Sequence, residues 1–274
     1  MSTHELADRI VTEPTDRESR CDLLRSLHVR GTPLVLPNAW DVASARAVVA
    51  AGFPVVGTTS MGVAASLGYE DHEQAPGEEM LAAAGRIAGA VEVPVTVDAE
   101  AGYGMEPPDL VAAVKEMGAA GCNLEDTNHA TGELRDPGEH AAWLRAVRAA
   151  ASDQSYPLVI NARIDVFVSA LASGSEAPSQ EELVSAALPR AHAYAEVGAD
   201  CVFPILLWER DALAAFVSEA RGPVNVLQIP PAPSQAELAE LGVARVSYGG
   251  LLHHEAMEQF GRHLESLPAA PADE

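Results

Sequence analysis

Short runs rich in β-branched and other apolar residues recur along the chain at residues 34–37, 54–58, 94–98, 121–125, 157–161, 200–204, 223–227 and 244–248. Alanine-rich stretches of helical period lie between them, for example 41–51 and 181–197. The joints resemble one another: Ala51-Gly52-Phe53-Pro54, Gly118-Ala119-Ala120-Gly121, Val197-Gly198-Ala199-Asp200 and Leu241-Gly242-Val243-Ala244. Each sets a glycine where a helix stops, with a strand close behind. Eight strands alternating with helices predict an α/β fold closed into a (β/α)8 TIM barrel. The competing architecture is an open doubly wound sheet, and no Gly-x-Gly-x-x-Gly opens the first helix to support it.

The 274 residues are expected to form one barrel domain. Residues 1–30 read as a helical extension, amphipathic over 21–29. The polar segment 127–137 follows the fourth run directly and reads as a mobile lid. Residues 172–180 read as a loop, and 267–274 as a frayed tail. A net charge of −23 argues against nucleic acid and anionic membranes as partners. It also means that an anionic substrate needs a locally positive site or a metal. Cys21, Cys122 and Cys201 are far apart and read as reduced thiols. No apolar run reaches the length of a membrane span, and the first residues are too polar for a signal peptide, so a cytoplasmic protein is expected.

Acids close two successive strands. Asp98 and Glu100 end the third run, just before Gly102-Tyr103-Gly104, and Glu125 ends the fourth. Arg163 stands at the end of the fifth. In a parallel barrel these strand ends share one rim, where such folds keep their chemistry. Gathered carboxylates repel one another unless a cation lies among them. Their hard oxygens suit Mg²⁺ or Mn²⁺. Arg163 could then clamp a substrate carboxylate through two nitrogens. Thr59 and Ser60 end the second run in hydroxyls suited to carboxylate or phosphate oxygens, with a plain helix cap as the alternative. Asp71 could help hold metal-bound water or act on the substrate, and by spacing alone reads as a solvated loop acid. His129 in the lid is a candidate acid or base. Cys122, inside a strand, reads as a buried structural thiol. His253 and His254 are adjacent, so their side chains diverge and make a poor metal pair. Tyr103 either leans over the acids or packs in its turn.

Asn38-Ala39-Trp40-Asp41, Ser66-Leu67-Gly68-Tyr69-Glu70-Asp71, Asp98-Ala99-Glu100-Ala101-Gly102-Tyr103-Gly104, Asn123-Leu124-Glu125-Asp126 and Asn161-Ala162-Arg163-Ile164-Asp165 occur in this order. As a set they resemble the isocitrate lyase / phosphoenolpyruvate mutase superfamily, over about residues 34–249. The resemblance implies a barrel whose last helix is exchanged between subunits, in homodimers or homotetramers. It implies Mg²⁺ and a small 2-oxo or hydroxy acid, whose C–C or P–C bond beside a carboxylate is made or broken through an enolate-like state. By position, Asp98 resembles the direct metal ligand, and Glu100 and Glu125 resemble water-mediated partners. Asp71 resembles an acid near the reacting centre. Thr59, Ser60, Asn161 and Arg163 resemble the substrate-binding set.

Departures from the superfamily pattern narrow the activity. The loop from Asp126 to Arg135 lacks the lyase cysteine and the mutase lysine, and Ile205 stands where lyases carry Glu. C–C bond chemistry is the first expectation, phosphonomutase or C–P hydrolase activity the second, and an inactive metabolite-binding barrel the third. A Schiff-base aldolase is disfavoured, since the only lysine, Lys115, falls within a helical stretch.

Overall fold

The computed structural model describes residues 17–171, 174 and 178–267. The first run forms β1 (Leu34–Leu36), and the strand resumes as β2 (Asn38–Ala39). Pro37 between them has no N–H for a ladder, which splits the strand. The first half pairs in parallel with β11 (Arg245–Ser247) and the second with β3 (Val56–Thr58). The sheet continues through β4 (Val95–Asp98), β5 (Gly121–Glu125), β8 (Val159–Ile164) and β9 (Cys201–Pro204), all parallel. A bridge from Val202 to Val224 carries it on to β10 (Asn225–Leu227), which pairs with β11. With β1 and β2 counted as one stave, eight staves close the ring, and each comes from one of the eight runs named above. The two remaining strands, β6 (Thr127–Asn128) and β7 (Glu133–Leu134), form an antiparallel hairpin outside it.

Helices cover the outside of the ring. They are α1 (Arg17–Ser26), α2 (Val42–Ala50), α3 (Ser60–Leu67), α4 (Gly77–Ala88), α5 (Pro107–Glu116), α6 (Pro137–Asp153), α7 (Val166–Leu171), α8 (Gln180–Glu196), α9 (Arg210–Glu219), α10 (Gln235–Glu240) and α11 (Leu251–Glu265). Asp41, Ser179 and Ser234 start α2, α8 and α10 with capping boxes, which satisfy otherwise unpaired first-turn amides. The alanine-rich faces seat these helices close to the strands. On α6, Ala141, Leu144, Val147 and Ala151 are buried at helical spacing, and on α8, Val184, Ala187, Leu188 and Ala191.

The expected N-terminal helix is present as α1, which buries Cys21 and Leu24. Arg25 ties it to the ring, donating to Asp200 Oδ1 and to the Pro157 carbonyl, each at 2.8 Å. Residues 1–16, the tail 268–274, and 172, 173 and 175–177 of the expected loop lie outside the described residues. Among the described residues no helix is long and apolar enough to cross a membrane. Helix α11 differs from the rest of the shell: none of its residues is buried.

Candidate active site

Register sets the site in layers. Asp98, Asn123 and Asn161 are cross-strand partners on β4, β5 and β8. Two residues further on, and therefore on the same face of the strands, Glu125 pairs with Arg163 and Arg163 with Phe203. Acids, amides and a guanidinium from distant parts of the chain thus meet at the C-terminal ends of the staves.

Asp98 is fixed from two sides. Its amide donates to Thr58 Oγ1 at 2.9 Å, and its Oδ2 accepts from the Ser60 amide at the start of α3, at 3.1 Å. Its other oxygen, Oδ1, is buried without a hydrogen-bond partner. Glu100 follows in a turn of left-handed residues: φ is 47° at Glu100, 90° at Gly102, 54° at Tyr103 and 67° at Gly104. Non-glycine residues adopt this region at a cost, and such strain concentrates at functional sites. The turn is clasped by segment 72–74. The Glu73 amide donates to Glu100 Oε1 and the Tyr103 amide to Glu73 Oε1, both at 2.7 Å. Burial, reinforced by the charges of Asp98, Asp71 and Glu125, pushes the Glu100 carboxyl up to about 7. Glu100 Oε2 and Asp71 Oδ1 are also buried and unpartnered.

Glu125 is held between a histidine and an arginine. His129 Nε2 lies 2.5 Å from Oε1, and Arg163 Nη1 lies 2.5 Å from Oε2. Burial raises its pKa, while Arg163 opposes the rise. Arg163 also donates to both oxygens of Asp165, at 2.6 and 3.2 Å. Asp165 in turn accepts from Thr127 Oγ1 at 2.6 Å, which binds the base of the β6–β7 hairpin to the site. Beneath it, Asp126 is fully buried and accepts from Tyr194 OH, Arg190 Nη1 and the Asp165 amide. Of the amide pair, Asn123 rather than Asn161 lines the cavity. Asn123 Oδ1 accepts from Asn161 Nδ2 at 2.8 Å and Arg245 Nη2 at 3.2 Å. With its oxygen so engaged, Asn123 has its Nδ2 left to donate to a ligand.

The cavity over these groups encloses about 570 Å³. Thr59, Ser60, Asp71, Asp98 and Arg163 line it, as does Asn123. His129, Glu125 and Glu100 are not among the lining residues; Glu125 contacts both His129 and the lining Arg163, and Glu100 feels the charges of Asp98 and Asp71. The amides of Thr59 and Ser60 are already used on the Ala39 carbonyl and Asp98, so their hydroxyls remain to meet a ligand. Among the described residues, no group of three or more His, Cys, Asp and Glu side chains is placed to hold a metal by direct contacts alone.

A profile of the phosphoenolpyruvate phosphomutase family matches residues 24–267. The chain belongs to that family. Within the wider isocitrate lyase / phosphoenolpyruvate mutase superfamily it has a general lyase or mutase role. It is 31% identical to phosphoenolpyruvate phosphomutase of Streptomyces hygroscopicus over 84% of this chain and 74% of that one. It is 28% identical to 2-methylisocitrate lyase of Escherichia coli, over 89% and 82%. An uncharacterised Mycobacterium tuberculosis protein is 38% identical over 82% and 81%. Among solved structures, a candidate phosphonomutase from Burkholderia cenocepacia J2315 superposes with a TM-score of 0.83 at 41% identity, covering 90% of this chain and 99% of that one.

Several features of this phosphomutase-family chain were not assigned a role from sequence. Asn123 and Asp165 stand inside quoted motifs, yet only cross-strand register and the Thr127 contact show what they hold. Arg245 and Asn225 carry no sequence signal, because they face a barrel interior that most barrels fill with aliphatic side chains. The expected lid is an ordered hairpin at its base. Cys122 is fully buried, and desolvation pushes its thiol up to about 12, which fits a structural thiol. Lys115 is in α5 and donates to the Gln154 carbonyl, away from the cavity. His253 packs edge-on against Trp40 with ring centroids 5.1 Å apart, while His254 lines the cavity mouth.

Proposed function

We propose that this protein is a divalent-metal-dependent enzyme that makes or breaks a carbon–carbon bond beside a carboxylate in a small 2-oxo or 2-hydroxy acid. The observation that supports it best is the pair of buried, unpartnered carboxylate oxygens at one end of the cavity, Asp98 Oδ1 and Asp71 Oδ1, with Glu100 Oε2 buried near them outside the lining. Such oxygens are costly to bury without a proton or a cation. The donor set is all hard oxygen and suits Mg²⁺, with Mn²⁺ as the alternative. Mg²⁺ commonly keeps several waters, so Asp98 would bind it directly and Glu100 and Glu125 through water. When bound, the ion supplies Lewis-acid stabilisation of charge on the substrate's oxo and carboxylate oxygens.

The remaining work belongs to the chain. Asn123 Nδ2 and the Thr59 and Ser60 hydroxyls orient the reacting carboxylate. Arg163, made rigid by Asp165, sets a positive charge beside it. Asn161 acts from one layer deeper, through Asn123. Asp71, with one free oxygen at the cavity, holds or moves the proton, and His129, backed by Glu125, is the second candidate. Closure of the 127–134 hairpin excludes water. The enzyme works in the cytoplasm as a homodimer or homotetramer with α11 exchanged between subunits, a reading supported by the unburied state of that helix.

Asp98→Asn is the direct test. It should abolish Mg²⁺ binding in calorimetry and lower turnover of a panel of oxo and malate-type acids by about a thousandfold, with the circular dichroism spectrum unchanged. Metal-dependent turnover retained by this variant would sink the reading. Phosphonate chemistry is the second reading, favoured by the family profile and the Streptomyces hygroscopicus relative. Conversion of phosphonopyruvate, followed by ³¹P NMR, would decide for it.

A further inference from the structure

We propose that the substrate carries a single anionic group, at its reacting end, and an apolar tail. This rests on the site reading above and names the class of acid that the site takes.

The mouth of the ring divides into two unlike halves. From β3, β4, β5 and β8 the cavity receives polar side chains: Ser60, Asp98, Asn123 and Arg163. From the ends of β9, β10 and β11, the remaining arc of the ring, it receives mainly apolar side chains, Phe203, Ile205, Leu206, Leu227, Ile229 and Leu251, together with Ser247 and Tyr248. A ligand anchored at the acids therefore extends toward a wall that is mostly hydrocarbon and carries no charge of its own.

That wall offers no cation to a second carboxylate or a phosphonate. Among the described residues, Arg163 is the only Arg or Lys that lines the cavity. Its register partners are Glu125 on one side and Phe203 on the other, so it stands where the acid end meets the wall. All three of its nitrogens already contact carboxylates: Nε and Nη2 meet Asp165, and Nη1 meets Glu125. His254, at the mouth, is 70% exposed and lies 3.4 Å from Glu258. His72 lies on the acid side, its ring 5.6 Å from that of His129. A carboxylate pressed against Ile205 and Phe203 would lose its hydration with nothing in return. An alkyl tail instead gains about fourfold in affinity for each methylene it buries. The volume of about 570 Å³ leaves room for such a tail beyond a three-carbon head.

Isosteric pairs of 2-oxo acids test this directly by titration calorimetry in saturating MgCl₂. The acid 5-methyl-2-oxohexanoate has the shape of 2-oxoglutarate with methyl groups in place of the distal carboxylate oxygens. In the same way, 4-methyl-2-oxopentanoate mimics oxaloacetate. The apolar member of each pair should bind about tenfold tighter or better. Ile205→Arg should reverse the preference by giving the distal carboxylate a partner. Equal or tighter binding of the dicarboxylates to the unaltered protein overturns the tail assignment. If that binding is also lost in Asp98→Asn, the metal-site reading survives and only the tail assignment falls. If no member of either pair binds, both fall. A folded Ile205→Arg variant with an unmoved preference overturns the placement of the tail against that wall.

Discussion

Glu100 shows how a single residue can couple acidity, backbone strain and metal affinity. Its left-handed φ of 47° turns the side chain to accept from the Glu73 amide, and burial pushes its carboxyl up to about 7. A carboxyl whose pKa is raised by folding favours the fold below its unfolded value near 4.5, and loses that contribution as pH climbs through 7. A divalent ion needs the deprotonated form. Mg²⁺ should therefore bind about tenfold tighter at pH 8 than at pH 6, and Glu100→Gln should flatten that dependence; calorimetry in matched buffers is the check. Affinity that does not vary over this range would remove Glu100 from the metal's surroundings. The sequence exposed Asp98, Glu100, Glu125 and Arg163 because acids and a guanidinium are conspicuous at the ends of β-branched runs. It hid the partners of Arg163. Asp165 lies two residues away in an ordinary-looking turn, and only the folded chain shows that it, rather than solvent, meets the guanidinium.

At the scale of elements, the strands were legible because proline and glycine bracket each run and helical period fills the gaps. The hairpin of β6 and β7 was not. Each of its strands spans two residues, too short to show alternation, so the segment read as a polar loop. What holds it is a buried relay: Thr127 donates to Asp165, Arg135 to the Asp126 carbonyl, and Arg190 and Tyr194 to the Asp126 side chain. A hydrogen bond to a charged group contributes about 1.5–3 kcal/mol. Thr127→Val keeps the shape and removes that bond, so it should lower stability by an amount near the bottom of this range. It should also speed hydrogen exchange across 127–134 while leaving α6 protected. Uniform exchange rates in the two proteins would show that Thr127 does not anchor the hairpin. The split of the first strand at Pro37 has the same kind of explanation: proline breaks the ladder but not the direction, so the chain resumes pairing with a different neighbour.

For the molecule as a whole, α11 is the element left unfinished. Met257, Phe260 and Leu264 are about half exposed, and their spacing places them on one face of the helix. Exposed apolar stripes of this kind mark contact surfaces. The proposed oligomer should become monomeric on Phe260→Asp, in light scattering at micromolar concentration, and an unaltered chain that is already monomeric there would remove α11 from any subunit contact. The two-sided mouth of the ring has a different consequence. In the proposed reading, residues that perform the reaction and residues that choose the substrate come from separate arcs of the same circle, joined by backbone pairing and by the hydrogen bond from Arg245 to Asn123. Mutation can then redraw the second arc, one side chain at a time, while the first keeps its geometry. A lineage built on this plan can acquire new diets without reinventing its chemistry.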